Sequence, residues 1–236
     1  MAEETSTQYA SYALYKVDPA WLRLPVEERA AGKEAFADVV EEWAERMDLR
    51  SYSLVGVRPE ADFMLWKLTE RWDDLRELAT ELNGTPLAGW LTTPYSYVAA
   101  TKPSQYFEQK SSRPRRVVPR GAPYLVVYPF VKKREWYSLP LDDRRRAMQE
   151  HAAVGSRFVT ITNHTTYSFG IDDQEFMTAF ECESPSDFLQ LMMTLRETEA
   201  SRYTERDTPI YVGVQEDIRS ILDSLDGTRA RVEHPL

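Results

Sequence analysis

Two stretches of the chain, residues 9–15 and 124–130, alternate side chains with the period of two that is typical of a β-strand, and both are rich in aromatic and β-branched residues. Each is followed by a Leu-Pro pair and then by paired acids, at Pro25 and Pro140. Proline fits the first turn of a helix, and acidic residues favour the positive end of the helix dipole. Apolar residues at helical spacing continue beyond both prolines. The pattern therefore predicts a strand followed by a helix in each half of the chain.

The two halves repeat each other in sequence as well as in pattern. Residues 21–29 (WLRLPVEER) return at 136–144 (WYSLPLDDR), and residues 61–64 (ADFM) return at 174–177 (QEFM). The offset between matching positions changes by only two residues between these segments. A fixed period of this kind indicates a duplicated structural unit.

The remaining predicted elements also occur in pairs. They are strands 50–57 and 63–69 paired with 158–169 and 175–181, helix 73–82 paired with 186–199, and strand 95–99 paired with 209–214. The order β-α-β-β-α-β thus occurs twice, which predicts an α+β fold of two ferredoxin-like units, the dimeric α+β barrel type, with helices on one face of antiparallel sheets. We assign residues 1–105 to the first unit and 106–236 to the second. Residues 101–122, rich in Ser, Pro and Arg, are predicted to connect them.

Composition narrows the class of protein. A hydrophobic content of 42% with only 9 Gly and 14 Pro excludes a disordered or collagenous chain. The net charge of -9 argues against a general nucleic-acid binder. A single cysteine, Cys182, excludes an intramolecular disulfide and favours a reducing compartment. Since no apolar run reaches the length of a membrane span and the N-terminus lacks signal-peptide features, we expect a cytoplasmic protein without a membrane span.

The average charge hides a basic stretch from Arg113 to Arg157. It contains 11 basic residues against four acids, which leaves a charge of +7 within an acidic chain. Such a stretch is either a solvated face or the lining of a pocket for a small polyanion that carries carboxylates or phosphates.

The clearest difference between the halves is His151. The repeat aligns it with Phe36, an apolar residue on the core-facing stripe of the first helix. Replacement of a core residue by histidine makes His151 the best candidate for a metal ligand or catalytic base, although a buried histidine bound to a carbonyl is the plainer alternative. The chain lacks hydrolase and nucleotide-binding motifs. A lone histidine without clustered Asp, Glu or Cys residues argues against structural zinc and suits a haem with a proximal histidine.

Other candidate residues lie in the second half. Tyr128 and Lys132 are four residues apart at the end of a predicted strand, so both could face one pocket if the strand stays regular across Pro129. A core tyrosine and a solvated lysine are the alternatives. His164 lies in a polar β-run, and His234 lies in the last few residues, where no role is expected.

An ordered series of motifs resembles the chlorite dismutase family, and most closely its coproheme decarboxylase branch. The motifs are YLVVYPFVK at 124–132, WYSLP at 136–140, RRRAMQEH at 144–151, FGIDDQEF at 169–176 and LRETEASRY at 195–203. The resemblance spans both halves. It implies two ferredoxin-like units per subunit, a homopentamer as the commonest assembly, and haem b or coproheme bound in the second unit only.

The resemblance also implies roles for individual residues. His151 matches the proximal iron ligand, and Tyr128 matches the tyrosine that becomes a radical and attacks a substrate propionate. Lys132 matches a lysine near that propionate, Trp136 matches a pocket tryptophan, and we take Met148 as a further cofactor contact. The carboxylates of coproheme would explain the basic stretch.

One distal residue separates the chemistries of this family: arginine in chlorite dismutases and often glutamine in decarboxylases. Counting back from Gly170 gives Asn163 at that position, whereas counting forward from His151 gives His164. Strand continuity favours Asn163, because deletions are tolerated better in loops. Neither is arginine, which argues against chlorite decomposition. Phe176 is a second departure, since decarboxylases commonly carry tryptophan there.

The expected function is therefore the conversion of iron coproporphyrin III (coproheme) to haem b by oxidative decarboxylation, with hydrogen peroxide as oxidant. Two alternatives stay open at this point. One is a haem-dependent peroxidase or an enzyme similar to chlorite dismutase, and the other is a haem carrier or sensor without catalytic activity.

Overall fold

The computed structural model of the chain describes residues 7–107 and 116–228. The first half contains β1 (Tyr9–Val17), α1 (Val26–Ala44), β2 (Asp48–Ser53), β3 (Phe63–Thr69), α2 (Trp72–Asn83) and β4 (Leu91–Ala100). The second half contains β5 (Tyr124–Lys132), α3 (Arg134–Ser138), α4 (Leu141–Gly155), β6 (Ile161–Tyr167), β7 (Phe176–Cys182), α5 (Pro185–Leu195), β8 (Thr204–Arg206), β9 (Tyr211–Gln215) and α6 (Ile218–Ser224).

Strand order confirms the predicted α+β fold of ferredoxin-like units. The four strands of the first half are hydrogen-bonded in the order β4-β1-β3-β2. The corresponding strands of the second half follow the same order, β9-β5-β7-β6. Phe36 and His151 each lie ten residues after the first residue of their helix, as the repeat predicts.

Contacts group the chain into two compact units whose bounds differ from those of the sequence repeat. One unit comprises Met1–Ala10 and Tyr97–Val212, and the other comprises Ser11–Ser96 and Gly213–Leu236. The C-terminal residues therefore belong, by contact, with the first half of the chain. The assignment of residues 1–105 and 106–236 stays a prediction about the duplication itself.

The unit of residues 11–96 and 213–236 has a continuous apolar core between its helices and its sheet. Phe36 from α1, Leu65 from β3 and Leu78 from α2 are completely or almost completely buried in this core. Ile221 from α6 joins them, and this helix was not predicted from the sequence. In this unit the position equivalent to His151 is thus filled by hydrophobic packing.

The unit of residues 97–212 is built on three antiparallel strands, with β7 between β5 and β6. Their apolar side chains pack with α5 through Phe188, Leu191 and Leu195. The helix predicted over 186–199 ends at Leu195, where the Thr198 hydroxyl donates a hydrogen bond to the Leu195 carbonyl oxygen at 2.7 Å. The chain then continues as a 3₁₀ turn over Glu199–Tyr203. This early end of the helix brings Thr198 beside α4.

Candidate functional site

A cavity of about 960 Å³ lies within the unit of residues 97–212. This volume is at the upper end of the range for small-molecule and cofactor sites, which is about 300–1,000 Å³. The cavity brings together all seven residues singled out in the sequence, namely Tyr128, Lys132, Trp136, Met148, His151, Asn163 and His164. Residues that are far apart in the sequence therefore share one site.

The register of β5, β7 and β6 distinguishes Asn163 from His164. Three rows of directly opposite residues cross these strands: Phe130–Phe176–Tyr167, Tyr128–Thr178–Thr165 and Val126–Phe180–Asn163. Directly opposite residues share one face of a sheet, and all of these except Val126 line the cavity. Asn163 therefore lies on the cavity face. Successive residues point to opposite faces, so His164, which is opposite Ala179, belongs to the other face, although it is also among the residues that line the cavity.

His151 is held by a hydrogen bond between its Nδ1 atom and the Thr198 hydroxyl, at 3.0 Å. That hydroxyl donates its proton to the Leu195 carbonyl oxygen, so it can only accept from the imidazole. Nδ1 must then carry the proton, which leaves the lone pair of the neutral ring on Nε2. Burial, aided by the positive charge of Lys132, lowers the pKa of His151 to about 4, so the ring is neutral at pH 7. A neutral imidazole with a free Nε2 lone pair is the form that ligates iron.

We expect the Thr198→Val variant to lose this fixed tautomer. Valine keeps the shape of threonine but offers no acceptor to Nδ1, so the ring protons redistribute between the two nitrogen atoms. ¹⁵N chemical shifts of the His151 ring in the protein without added porphyrin measure this at pH 7. The Ser201→Ala variant is the control, because Ser201 contacts the Leu195 carbonyl and the Thr198 hydroxyl but makes no hydrogen bond to His151. Identical ring shifts in Thr198→Val and the unmodified protein would contradict the assignment.

Tyr128 presents its hydroxyl to a weak acceptor. The oxygen lies 3.7 Å from the Met192 sulfur, and the residue is 4% exposed. Burial raises the pKa of Tyr128 to about 12, so the phenol is protonated at neutral pH. Among the residues that the structure describes, no carboxylate or imidazole hydrogen-bonds to this hydroxyl. It therefore remains available to a ligand in the cavity.

Lys132 is buried, contrary to the alternative of a solvated lysine. Its Nζ donates to the Ala200 carbonyl oxygen at 2.6 Å and lies 4.5 Å from the ring centroid of Trp136. Strand β5 continues through Pro129, which is opposite Met177. Burial lowers the pKa of Lys132 to about 8, so most of it is still charged at pH 7.

The segment predicted only to connect the two units also walls the cavity. The Trp136 indole donates a hydrogen bond to the Tyr106 hydroxyl at 3.0 Å, and Met148 packs against this pair. Arg116 and Arg120, from the same connecting segment, line the cavity as well. Tyr106 was not predicted from the sequence, because a tyrosine in a Ser- and Pro-rich stretch carries no periodic signal.

Glu181 was also missed, although it has the densest set of hydrogen bonds near the cavity. Its carboxylate accepts from the backbone N–H groups of Arg120, Gly121 and Ala122 at 2.7–3.3 Å. It also accepts from His164 Nε2 at 2.7 Å. Burial alone would raise the pKa of Glu181, but these hydrogen bonds outweigh burial and lower the pKa to about 2.

A lowered carboxyl pKa predicts a stability that depends on pH. Glu181 favours the folded state fully above its unfolded pKa of about 4.5 and loses this contribution as the pH falls through about 2. We expect Glu181→Gln to lower the free energy of unfolding by about 3 kcal/mol at pH 7 and by half of that or less near pH 3. Urea unfolding at the two pH values measures the difference, with Glu183→Gln as an exposed control. An equal loss at both pH values would be inconsistent with this origin.

The basic stretch divides between cavity and surface. Arg116, Arg120 and Lys132 line the cavity. Arg145 and Arg146 instead pair with acids three residues earlier on the exposed side of α4. Arg113 and Arg115 lie outside the described residues, as does His234. The interpretation as a pocket for a polyanion therefore applies to part of the stretch only.

The described ranges, 7–107 and 116–228, contain no group of three or more His, Cys, Asp or Glu side chains that could hold a metal ion. They also contain no helix whose length and apolar character would suit a membrane crossing.

Comparisons with known proteins agree on one family. The family described as chlorite dismutase matches residues 18–216. A coproheme decarboxylase from Mycolicibacterium smegmatis is 31% identical over 176 residues, which cover 74% of this chain and 75% of the relative.

Solved structures give the same result for the fold. Chlorite dismutase from Candidatus Nitrospira defluvii in complex with imidazole superimposes with a TM-score of 0.82 at 26% identity, covering 93% of this chain and 95% of the other. A structure described as a novel haem-binding protein from Thermus thermophilus gives a TM-score of 0.82 at 26% identity, covering 96% of this chain and 99% of the other.

Proposed function

The chain belongs to the chlorite dismutase family, and from this premise we propose that it converts iron coproporphyrin III to haem b by two successive oxidative decarboxylations that consume hydrogen peroxide. The observation that carries the proposal is that one cavity presents both the Nε2 lone pair of His151 and the hydroxyl of Tyr128. The relative from Mycolicibacterium smegmatis, described as a coproheme decarboxylase, supports this choice of reaction within the family.

The residues present fit an iron porphyrin. The cavity has sufficient volume for a macrocycle, and aromatic side chains such as Phe130, Phe176 and Phe180 form much of its sheet face. His151 offers a neutral nitrogen ligand whose orientation Thr198 fixes. The iron porphyrin, which is also the substrate, supplies the redox chemistry with peroxide, and the protein contributes position and charge.

Tyr128 acts as the hydrogen-abstracting residue. Loss of one electron and one proton from its phenol gives a neutral radical, which takes a hydrogen atom from the β-carbon of a nearby propionate. Loss of carbon dioxide and a second electron then leaves a vinyl group. Each decarboxylation thus removes two electrons and one proton from the substrate, and one peroxide accepts both electrons as it is reduced to water.

Lys132 neutralises and orients that propionate. A carboxylate that is taken out of water costs several kcal/mol unless it meets an opposite charge and hydrogen-bond donors. The Lys132 ammonium is held near the cavity by the Ala200 carbonyl and the Trp136 ring. Because it is buried before the ligand arrives, little side-chain freedom is lost when the ion pair forms.

Asn163 is the distal residue in this proposal. It lies on the same face of the sheet as Tyr128 and carries no positive charge, so the cation on which chlorite decomposition depends is not supplied from this position. Its amide can still donate a hydrogen bond to a small oxidant.

The reaction is tested with the purified chain and coproheme. Stepwise addition of peroxide should give products lighter by one carbon dioxide and two hydrogen atoms, first once and then twice, as read by mass spectrometry. If the protein releases oxygen from chlorite and does not form these lighter products, the proposal is overturned in favour of a chlorite-degrading enzyme. Bound coproheme that survives peroxide unchanged would favour a haem carrier or sensor.

The homopentamer is part of the same proposal. Light scattering of the purified chain during gel filtration measures the mass, and five copies of a 27.4 kDa chain are expected.

A further inference from the structure

The carboxylate of Glu181 binds one turn of the connecting segment at three consecutive backbone positions. Arg120, Gly121 and Ala122 all donate their N–H groups to it. Gly121 has a φ of +77°, a backbone conformation that glycine adopts without the strain that other residues incur. Three successive N–H groups converge on one anion in this way, which makes a concave site of the kind that backbone nests form.

His164 adds one further hydrogen bond to the Glu181 carboxylate. An ionised carboxylate can only accept hydrogen bonds, so His164 Nε2 must be the donor in the 2.7 Å contact with Glu181. Both side chains are almost fully buried, with 6% and 1% of their surface exposed. Hydrogen bonds to a charged group in such an environment are stronger than those between neutral groups. The turn is therefore fixed to β6 and β7, the strands that carry the cavity wall.

Arg120 is the residue that this turn presents to the cavity. Its backbone N–H is bound by Glu181, and the residue is exposed and is one of those that line the cavity. In the part of the chain that the structure describes, its guanidinium forms no ion pair and no hydrogen bond. A guanidinium binds carboxylates with two parallel hydrogen bonds, but only when its position is well defined.

We propose that Glu181, anchored by His164, is a positioning residue that fixes the turn at Arg120 to Ala122 so that the Arg120 guanidinium binds a carboxylate of the porphyrin. The inference rests on the proposed function for the identity of the ligand. Glu181 itself touches no ligand in this proposal, because its carboxylate is fully engaged by the turn and by His164.

The state of the turn is measured first, without ligand. Trypsin cleaves after arginine. The Arg120–Gly121 peptide bond is protected as long as the backbone N–H groups of Arg120, Gly121 and Ala122 are bound to Glu181. We expect cleavage at this bond to be about tenfold faster in Glu181→Gln than in the unmodified protein, because opening of the turn no longer breaks charge-assisted hydrogen bonds. Glu183→Gln removes the same charge from an exposed neighbour and should cleave at the unmodified rate.

The second measurement is the affinity for metal-free coproporphyrin III, read from its fluorescence at a temperature where all variants are folded. Without iron this ligand cannot be decarboxylated, so binding is measured apart from the reaction. We expect about tenfold weaker binding for Arg120→Ala and about three- to tenfold weaker binding for Glu181→Gln. If Glu181 acts through Arg120, adding Glu181→Gln to Arg120→Ala causes no further loss.

The outcomes separate the two claims. Losses that multiply in the double variant, or unchanged cleavage after Arg120 in Glu181→Gln, would overturn the positioning role and leave the proposed function intact. Failure of the unmodified protein to bind metal-free coproporphyrin would overturn this inference, and failure to bind coproheme as well would overturn the proposed function. The proposal is supported if Glu181→Gln weakens binding only while Arg120 is present and also makes cleavage after Arg120 faster. A general loss of stability would weaken binding in the Arg120→Ala variant as well.

Discussion

We expect the Tyr128→Phe variant to bind coproheme with nearly unchanged affinity and to form vinyl product at least about 100-fold more slowly. Phenylalanine keeps the ring, and the removed hydroxyl contacts the Met192 sulfur, which is a weak acceptor, so little structure is lost. A phenyl ring has no O–H bond from which a neutral radical can form. Porphyrin titration gives the affinity, and mass spectrometry after peroxide addition gives the rate.

Tyr167→Phe is the matched control for this experiment. Tyr167 lines the same cavity from the same face of the sheet but has no part in hydrogen abstraction. It should retain most of the activity. Vinyl formation by Tyr128→Phe at the unmodified rate would remove Tyr128 from the mechanism.

The His151→Ala variant should lose iron ligation while keeping the cavity. Substitution of residues that only orient a metal ligand costs about 10- to 100-fold in metal affinity, so removal of the ligand itself should weaken coproheme binding by about 100-fold or more. Metal-free coproporphyrin, which makes no bond to His151, should bind with little change. The absorption spectrum of the bound iron porphyrin should shift, and added imidazole should restore it in part.

His164→Gln provides the comparison for His151→Ala. Glutamine can still donate a hydrogen bond toward Glu181, and His164 belongs to the opposite face of β6 from the cavity rows. Its iron porphyrin spectrum should match that of the unmodified protein. An unchanged spectrum in His151→Ala would instead exclude His151 as the ligand.

The duplication made most of the fold predictable. Because the two halves align, a strand or helix that is weak in one half is supported by its partner, and the equivalence of His151 and Phe36 follows directly. The end of α5 was not predictable, since the residues up to Glu199 continue a helical pattern, and only the folded chain shows that the Thr198 hydroxyl binds the Leu195 carbonyl. The partner of His151 therefore could not be named from sequence.

The sequence alone also did not determine whether Asn163 or His164 lies at the distal position. A one-residue deletion leaves two alignments, and each places the neighbouring residue on the opposite face. Pairing with β7 shows that Asn163 is the one on the cavity face, because it puts Asn163 in a row with Phe180 and His164 in a row with Ala179. The number of basic residues in a stretch likewise does not show where each side chain points. Arg145, for example, points to Asp142 and not into the cavity.

The ammonium group of Lys132, 4.5 Å from the centre of the Trp136 ring, has a consequence for where oxidising equivalents go. An indole that loses an electron becomes a cation, and a positive charge so close makes that state costly. A phenol that loses an electron together with its proton stays neutral and escapes this penalty. In the proposed reaction, Lys132 thus disfavours oxidation of Trp136 and favours oxidation of Tyr128.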